Sequence, residues 1–141
     1  MRTKLSILLM LVVALLCNSC GSDDPEDILQ DGSIYTVEFI SSGEDYSVTA
    51  SFSANGKPMI DTSTKKEFLT TVDFTGKKTF QTKEKVLIFG AGATLSSKKA
   101  SQLQMTVKKD GVTVWTENVS INPEPENTRM LYENVAYVTG Q

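Results

Sequence analysis

The 141-residue chain has no histidine, one tryptophan, and only two cysteines, both within its first twenty residues. Each shortage closes off some chemistry. Without histidine the commonest general base near neutral pH is missing. Ser-His-Asp and Cys-His arrangements are excluded outright. Cys17 and Cys20 have no third cysteine and no imidazole to join, so a thiolate or imidazole zinc site cannot be completed. Long apolar runs are absent as well. Leu5 to Leu16 gives twelve uncharged residues, short of the roughly 20 that a membrane-spanning helix needs. A basic excess is also lacking, with 14 basic residues against 17 acidic, which argues against nucleic acid as a partner.

What is present begins at the N-terminus. Arg2 and Lys4 precede the apolar run, which is apolar on all sides and ends in Asn18-Ser19-Cys20-Gly21-Ser22. A charged head, a short apolar segment and small residues at its end describe a signal peptide, residues 1–19. The junction resembles the lipobox of bacterial lipoproteins, in which the cysteine is acylated and becomes the first mature residue. Cys17 stands at the third position before Cys20, where that family usually has leucine, and Cys17 itself would need Leu16 at the cleavage position. The resemblance therefore implies lipidation at Cys20 and loss of Cys17. No free thiol and no disulfide then remain. Two or more acyl chains make a firm anchor, because each buried methylene contributes roughly 0.8 kcal/mol and one chain alone is marginal.

Asp23, Asp24, Glu26 and Asp27 follow, and then Asp31. This resembles the export signal of Bacteroidota lipoproteins, in which acids after the cysteine route the protein to the cell surface. The resemblance implies an outer-membrane, lipid-anchored location on the cell surface. Residues 20–32 form an acidic tether, and the 13 residues Gly21 to Ser33 reach at most about 45 Å. Those five acids carry the imbalance of the mature chain. From Gly32 onward, 12 acidic and 12 basic residues balance. Residues 33–141 suit one domain.

Period-two alternation dominates that domain. Tyr35, Val37 and Phe39 alternate with Thr36 and Glu38; Tyr46 to Phe52 and Leu103 to Val107 repeat the pattern. Turn signals stand between, at Ser41-Ser42-Gly43, Asn55-Gly56-Lys57-Pro58, Thr75-Gly76, Asp110-Gly111 and Asn122-Pro123. Further strands are predicted at Phe68–Phe74, Lys78–Thr82, Val86–Leu95, Val112–Ser120 and Met130–Val138. Seven or eight antiparallel strands at this spacing predict an all-β sandwich. Asn122-Pro123-Glu124-Pro125-Glu126-Asn127 reads as a polar, proline-stiffened connection.

The segment KTFQTKEKVLIFGAGATLSSKKASQLQMTVKKDGVTVWTENV resembles the small immunoglobulin-like domains of Bacteroidota lipoproteins. It is also similar to the extracytoplasmic domain of the mycobacterial small membrane proteins that accompany lipid transporters. The shared features are the alternating strand from Val86, a polar gap, and the hairpin Met105 to Val114. The resemblance implies an immunoglobulin-like sandwich and carries no catalytic residue.

Carboxylates remain as candidates for acid–base work. Asp73 between Val72 and Phe74, and Glu38 between Val37 and Phe39, are the apolar-flanked ones, and alternation points both away from the core. Gly90-Ala91-Gly92 lacks the third glycine and the helix of a dinucleotide fingerprint; strand glycines mark a bulge or close packing. Glu44-Asp45 offers oxygen ligands for Ca²⁺ without a ligand loop. Asn118-Val119-Ser120 matches a glycosylation sequon that a bacterial lipoprotein does not use. The paired lysines, such as Lys98-Lys99 and Lys108-Lys109, sit near turns as solvated charges. No catalytic residue, metal site or cofactor is expected.

Trp115 is the single candidate for a binding contact. A two-residue type I′ turn at Asp110-Gly111 sets it opposite Thr106 on the wet face. A three-residue loop from Lys109 sets it opposite Met105 in the core, and a one-residue slip separates the two. The expected function is a non-enzymatic binding or accessory module for a glycan, peptide or partner protein. The alternative is an envelope spacer or self-associating lipoprotein. Exposure of Trp115 favours the first, burial the second.

Overall fold

A computed structural model describes residues 31–139. Cys20, Asp23, Asp24, Glu26 and Asp27, together with the signal segment, lie outside the described residues. Asp31 to Gln141 make up a compact unit of their own.

The unit is a sandwich of two antiparallel sheets. Ten strands follow in order: β1 Tyr35–Gly43, β2 Tyr46–Ser53, β3 Met59–Asp61, β4 Glu67–Phe68, β5 Thr71–Phe74, β6 Lys77–Thr82, β7 Gly90–Ser97, β8 Ser101–Lys109, β9 Val112–Ile121 and β10 Leu131–Val138. One sheet has the order β4-β3-β6-β1-β8-β9, the other β10-β7-β2-β5. Successive strands share a sheet only at the β3–β4 and β8–β9 hairpins; every other connection crosses from one sheet to the other.

Alternation explains the layers. Val37 and Phe39 of β1, Val48 and Ala50 of β2, and Leu103, Met105 and Val107 of β8 turn inward and are buried. Their neighbours Thr36, Glu38, Thr49 and Gln104 face out, as period two requires. Phe80 of β6 is the hub of the core. Its ring lies 5.1 Å from Phe52, 5.8 Å from Phe68, 5.9 Å from Phe74 and 6.1 Å from Phe39, all tilted or edge-on. Aromatic pairs in such geometry add about 0.5–1.5 kcal/mol beyond the area they bury. A second aromatic group, Tyr35 stacked on Phe89 at 4.6 Å, fills the end where the chain enters.

The structure has ten strands where alternation predicts seven or eight. The run Phe68–Phe74 is split. Glu67–Phe68 pairs with β3 in one sheet, and Thr71–Phe74 pairs with β2 in the other. Predicted strand Val86–Leu95 begins only at Gly90. Val86 makes an isolated bridge to Ser33, and Leu87 and Ile88 stand exposed in the loop. Met59–Asp61 was too short to show a period.

The two ends of the sandwich differ. Ser33 bridges Val86, and the Ile34 amide donates to Asp110 Oδ1 at 3.0 Å, so the chain enters beside the β8–β9 hairpin. The far end carries the loops after β1, β5, β7 and β9. Gly43 closes β1 there with φ 141°, and a Cβ on it would meet Ser101 Cβ at 2.6 Å, so only glycine lets β1 approach β8 so closely. With β8 nine residues long, the ends lie roughly 27 Å apart.

Candidate functional site

Trp115 takes neither of the two expected registers. Asp110 (φ 50°) and Gly111 (φ 85°) form the two-residue turn with both residues left-handed, and Lys109 pairs with Val112. Lys108 then pairs with Thr113, but Val107 pairs with Trp115. Val114 is the extra residue of a β-bulge. The bulge keeps the favoured turn and still brings the large indole to the core side. Val112 and Val114 are left exposed in exchange. The indole is half-buried against the core, 5.8 Å from the Tyr137 ring at 50°. It joins the edge strand of one sheet to that of the other. Burial, and next the nearness of Tyr35, push the Tyr137 phenol above its ordinary pKa. An indole so engaged is packing material and not an open platform, so Trp115 itself lends the binding reading no support and favours the spacer alternative.

The acidic candidates are likewise occupied. Glu38 faces out and pairs with Lys108 Nζ at 2.8 Å. Asp73 faces out and accepts from the Thr49 hydroxyl. Lys99 Nζ lies between Glu44 (2.8 Å) and Asp45 (3.3 Å), and its bonds to Glu44 and then Asp45 hold the ammonium above its ordinary pKa. Among the described residues one carboxylate is buried, and no alternation in the sequence marks it. Asp61 is 3% exposed. Its Oδ1 accepts from the Ser63 amide (2.8 Å), the Ser63 hydroxyl (2.6 Å) and the Thr64 amide (3.1 Å), while Oδ2 meets Lys78 Nζ at 2.8 Å. Burial pushes this carboxyl up, but the bonds from Lys78, Ser63 and Thr64 outweigh it and hold the group well below the usual carboxylate range. With every oxygen taken, Asp61 pins the turn after β3 and offers nothing to a substrate. Among the described residues no three Asp, Glu, Cys or His side chains converge.

Gly90 and Gly92 lie on the outer face of β7, and no bulge interrupts their pairing with β10 or β2. A Cβ on Gly92 would meet the Val135 carbonyl at 3.3 Å, so close packing is the role of Gly92, while Gly90 has ordinary room at 3.7 Å. The shallow hollow above them, about 290 Å³, is walled by Ser51, Ser53, Ala136 and Val138 and has no charged group.

A larger concavity lies at the far end, opposite the chain's entry. Its volume is about 680 Å³, and its walls are the β7–β8 loop (Lys98, Lys99, Ala100) and the β9–β10 connection (Asn122 to Pro125, Asn127, Thr128). The pairs Ser101–Ile121 and Leu131–Ser97 bring these two loops to the same end. The first loop is held from inside. The buried Ser97 hydroxyl donates to the Lys99 carbonyl (2.8 Å) and accepts from its amide (3.0 Å). The second is held by a turn from the Asn127 amide to the Glu124 carbonyl (2.9 Å) and by Asn127 Oδ1 accepting from the Arg129 amide (2.9 Å). Lys98 has no ion-pair partner among the described residues. A polar hollow of about 210 Å³, lined by Ser42, Gln102 and Ser120, adjoins it across Asn122. Tyr132, 62% exposed, stands at the same end. The proline-stiffened connection was the one sequence signal for this cleft; the second wall is 22 residues earlier and joins it only through pairing.

No family model matches the sequence, and comparison with curated protein sequences finds no match. Solved structures do match. The calcium-bound form of a protein from Parabacteroides distasonis, solved by NMR, aligns with TM-score 0.57 at 19% identity over 80% of this chain and 98% of that one. A DUF4425 family protein from Bacteroides ovatus aligns with TM-score 0.60 at 15% identity over 78% of this chain and 98% of that one. A domain of unknown function, DUF4425, from Bacteroides vulgatus gives 0.58 at 13% over 79% and 98%. At these identities the likeness shows a shared fold: this chain folds as those three do.

Proposed function

We propose that the chain is a lipid-anchored module on the bacterial surface that binds, without catalysis, a saccharide in the cleft opposite its tether. The observation that carries this is the position of the cleft. A chain held by Cys20 enters at one end of the sandwich, and this cleft lies at the other. Its lining suits a sugar. Asn122, Asn127 and Thr128 supply amide and hydroxyl groups and Lys98 supplies a cation, while Tyr132, outside the lining, is exposed at the same end. The absence of histidine from the whole chain and the pairing of Glu38, Asp61 and Asp73 favour binding over catalysis. The origin of the structural neighbours in Bacteroides and Parabacteroides supports the reading of Asp23, Asp24, Glu26 and Asp27 as a surface-export signal.

Two acidic groups that could offer calcium oxygens are already engaged. The Glu44-Asp45 pair already holds the Lys99 ammonium, and the Asp61 oxygens are filled.

Amide shift mapping tests the saccharide reading. The chain from Cys20 onward would be titrated with oligosaccharides from bacterial, plant and host glycans. Shifts are expected in Lys98–Ala100 and Asn122–Thr128. Asn127→Ala or Tyr132→Ala should weaken binding by about tenfold, the loss of one good contact. Shifts on the Gly90–Gly92 face, or no shifts with any saccharide, would overturn it.

A further inference from the structure

The end where the chain enters is apolar at its rim. Among the described residues, five of the nine large exposed hydrophobic side chains lie there: Leu69, Leu87, Ile88, Val112 and Val138. Strand pairing fixes this placement. Val138 pairs with Gly90, two residues after Ile88. Val112 pairs with Lys109 at the hairpin that receives Ile34. Phe68, before Leu69, pairs with Met59, which pairs with Thr82 at the end of β6. Leu87 is 54% and Ile88 61% exposed on one loop, adjacent in sequence, with Val86 and Phe89 buried on either side as anchors. Leu69 and Val112 stand at opposite edges of the six-stranded sheet, while Leu87, Ile88 and Val138 lie beside one another; single exposed aliphatics are ordinary, and neighbouring ones mark a contact surface.

Apart from Lys109, which has no ion pair among the described residues, the lysines of this end are paired. Lys57 pairs with Glu84 at 2.9 Å and Lys83 with Glu67 at 2.6 Å, and Lys85 approaches Asp31 at 3.9 Å. Asp110 is bound by the Ile34 amide. The rim therefore presents apolar side chains among paired lysines, whose stems lie along apolar surface while their heads stay wet.

We propose that this rim rests on the lipid surface to which the chain is tethered, with Leu87 and Ile88 entering the headgroup layer. The inference rests on the reading of Cys20 as the lipid anchor. The occupant follows from where the chain goes. Asp31 leaves this same end, and the ten residues between Cys20 and Asp31 span at most about 40 Å. So short a leash holds the rim at a local concentration on the order of millimolar relative to the bilayer. A weak apolar contact is then occupied most of the time. The cleft at the other end points away from the membrane, toward soluble ligands.

The chain from residue 20 onward contains one cysteine, so the geometry can be built chemically. Its Cys20 thiol is coupled to maleimide-headgroup lipid in vesicles of phosphatidylethanolamine and phosphatidylglycerol. Hydrogen exchange is then compared with the same chain coupled to a soluble maleimide polymer. Amides of Lys85–Phe89 should exchange about threefold or more slowly on vesicles, the sign of a local opening suppressed by contact. Those of Asn122–Thr128 should not change. The Leu87→Ser, Ile88→Ser variant should lose the slowing while keeping its melting temperature, since both side chains are exposed. Equal rates on vesicle and polymer would overturn the proposal, as would slowing confined to Asn122–Thr128 or slowing that survives in the variant. Slowing that needs added envelope proteins would assign the rim to a protein partner and overturn the lipid assignment. Because the coupling is chemical, a failure here stands apart from a failure to find acyl groups on Cys20 in cells.

Discussion

Deleting Val114 tests the placement of Trp115 and costs the fold little. Val114 is the surplus residue of the bulge, so its removal leaves Lys108 paired with Thr113 and Val107 with Trp115 in an unbroken ladder. Two small terms oppose each other. Val114 is 45% exposed, so about half the burial of a valine is lost, about 1 kcal/mol. Regular pairing restores about one backbone hydrogen bond, worth about 0.5–1.5 kcal/mol net. The sum lies within about 1 kcal/mol of zero, which moves the melting temperature by about 5 °C or less in a domain of this size. In an unbulged ladder with Trp115 opposite Met105, the same deletion would reverse every side chain from Trp115 to Ile121. Ile121, now buried at 2% exposure, would face water. Circular dichroism melting and tryptophan emission decide between these. An unchanged emission maximum and unchanged acrylamide quenching are expected. A red shift with a melting loss beyond about 10 °C, the mark of a core turned outward, would refute the bulge reasoning.

Asp61→Asn should lower stability by about 1–2 kcal/mol at pH 7, because the amide keeps the turn but loses the charge that Lys78 answers, and Lys78 can turn to water. The folded carboxyl titrates below its unfolded value, so its contribution is complete above about pH 4 and fades as pH falls further. The gap in melting temperature between wild type and variant should therefore close on acidification; a gap that widens would contradict the assignment. Replacing Asp23, Asp24, Glu26 and Asp27 with Asn or Gln should reduce protease access to the chain on intact cells and leave melting unchanged, since all four precede the folded unit; equal access would refute their sorting role. Millimolar Ca²⁺ should move the melting temperature by less than about 1 °C, as no ligand-linked stabilisation is expected; a rise of several degrees would show a site the side chains here do not reveal.

Much of the sandwich was legible because alternation is a direct imprint of burial. Tyr35–Phe39, Tyr46–Phe52 and Leu103–Val107 each put one residue in two inside. The Asp110-Gly111 turn was legible from its residues alone, since both must adopt positive φ. The break between β4 and β5 was not, because Glu67 to Phe74 contains no glycine or proline to mark it. Leu87 and Ile88 mimicked a strand since local composition cannot report that two adjacent aliphatics stand exposed in a loop. The bulge at Val114 was hidden for a different reason: it resolves a conflict between turn geometry and indole burial that only the assembled sheets impose. The cleft was half visible, as its proline-rich wall is contiguous and its lysine wall is distant in sequence.

The anchor at Cys20 orients everything proposed here, the rim toward lipid and the cleft away from it. Mass spectrometry of the chain extracted from membranes measures it directly. The account predicts a mature N-terminus at Cys20 bearing a thioether-linked diacylglycerol, with Met1 to Ser19 removed. An unmodified Cys20, or an N-terminus at any other residue, would contradict it.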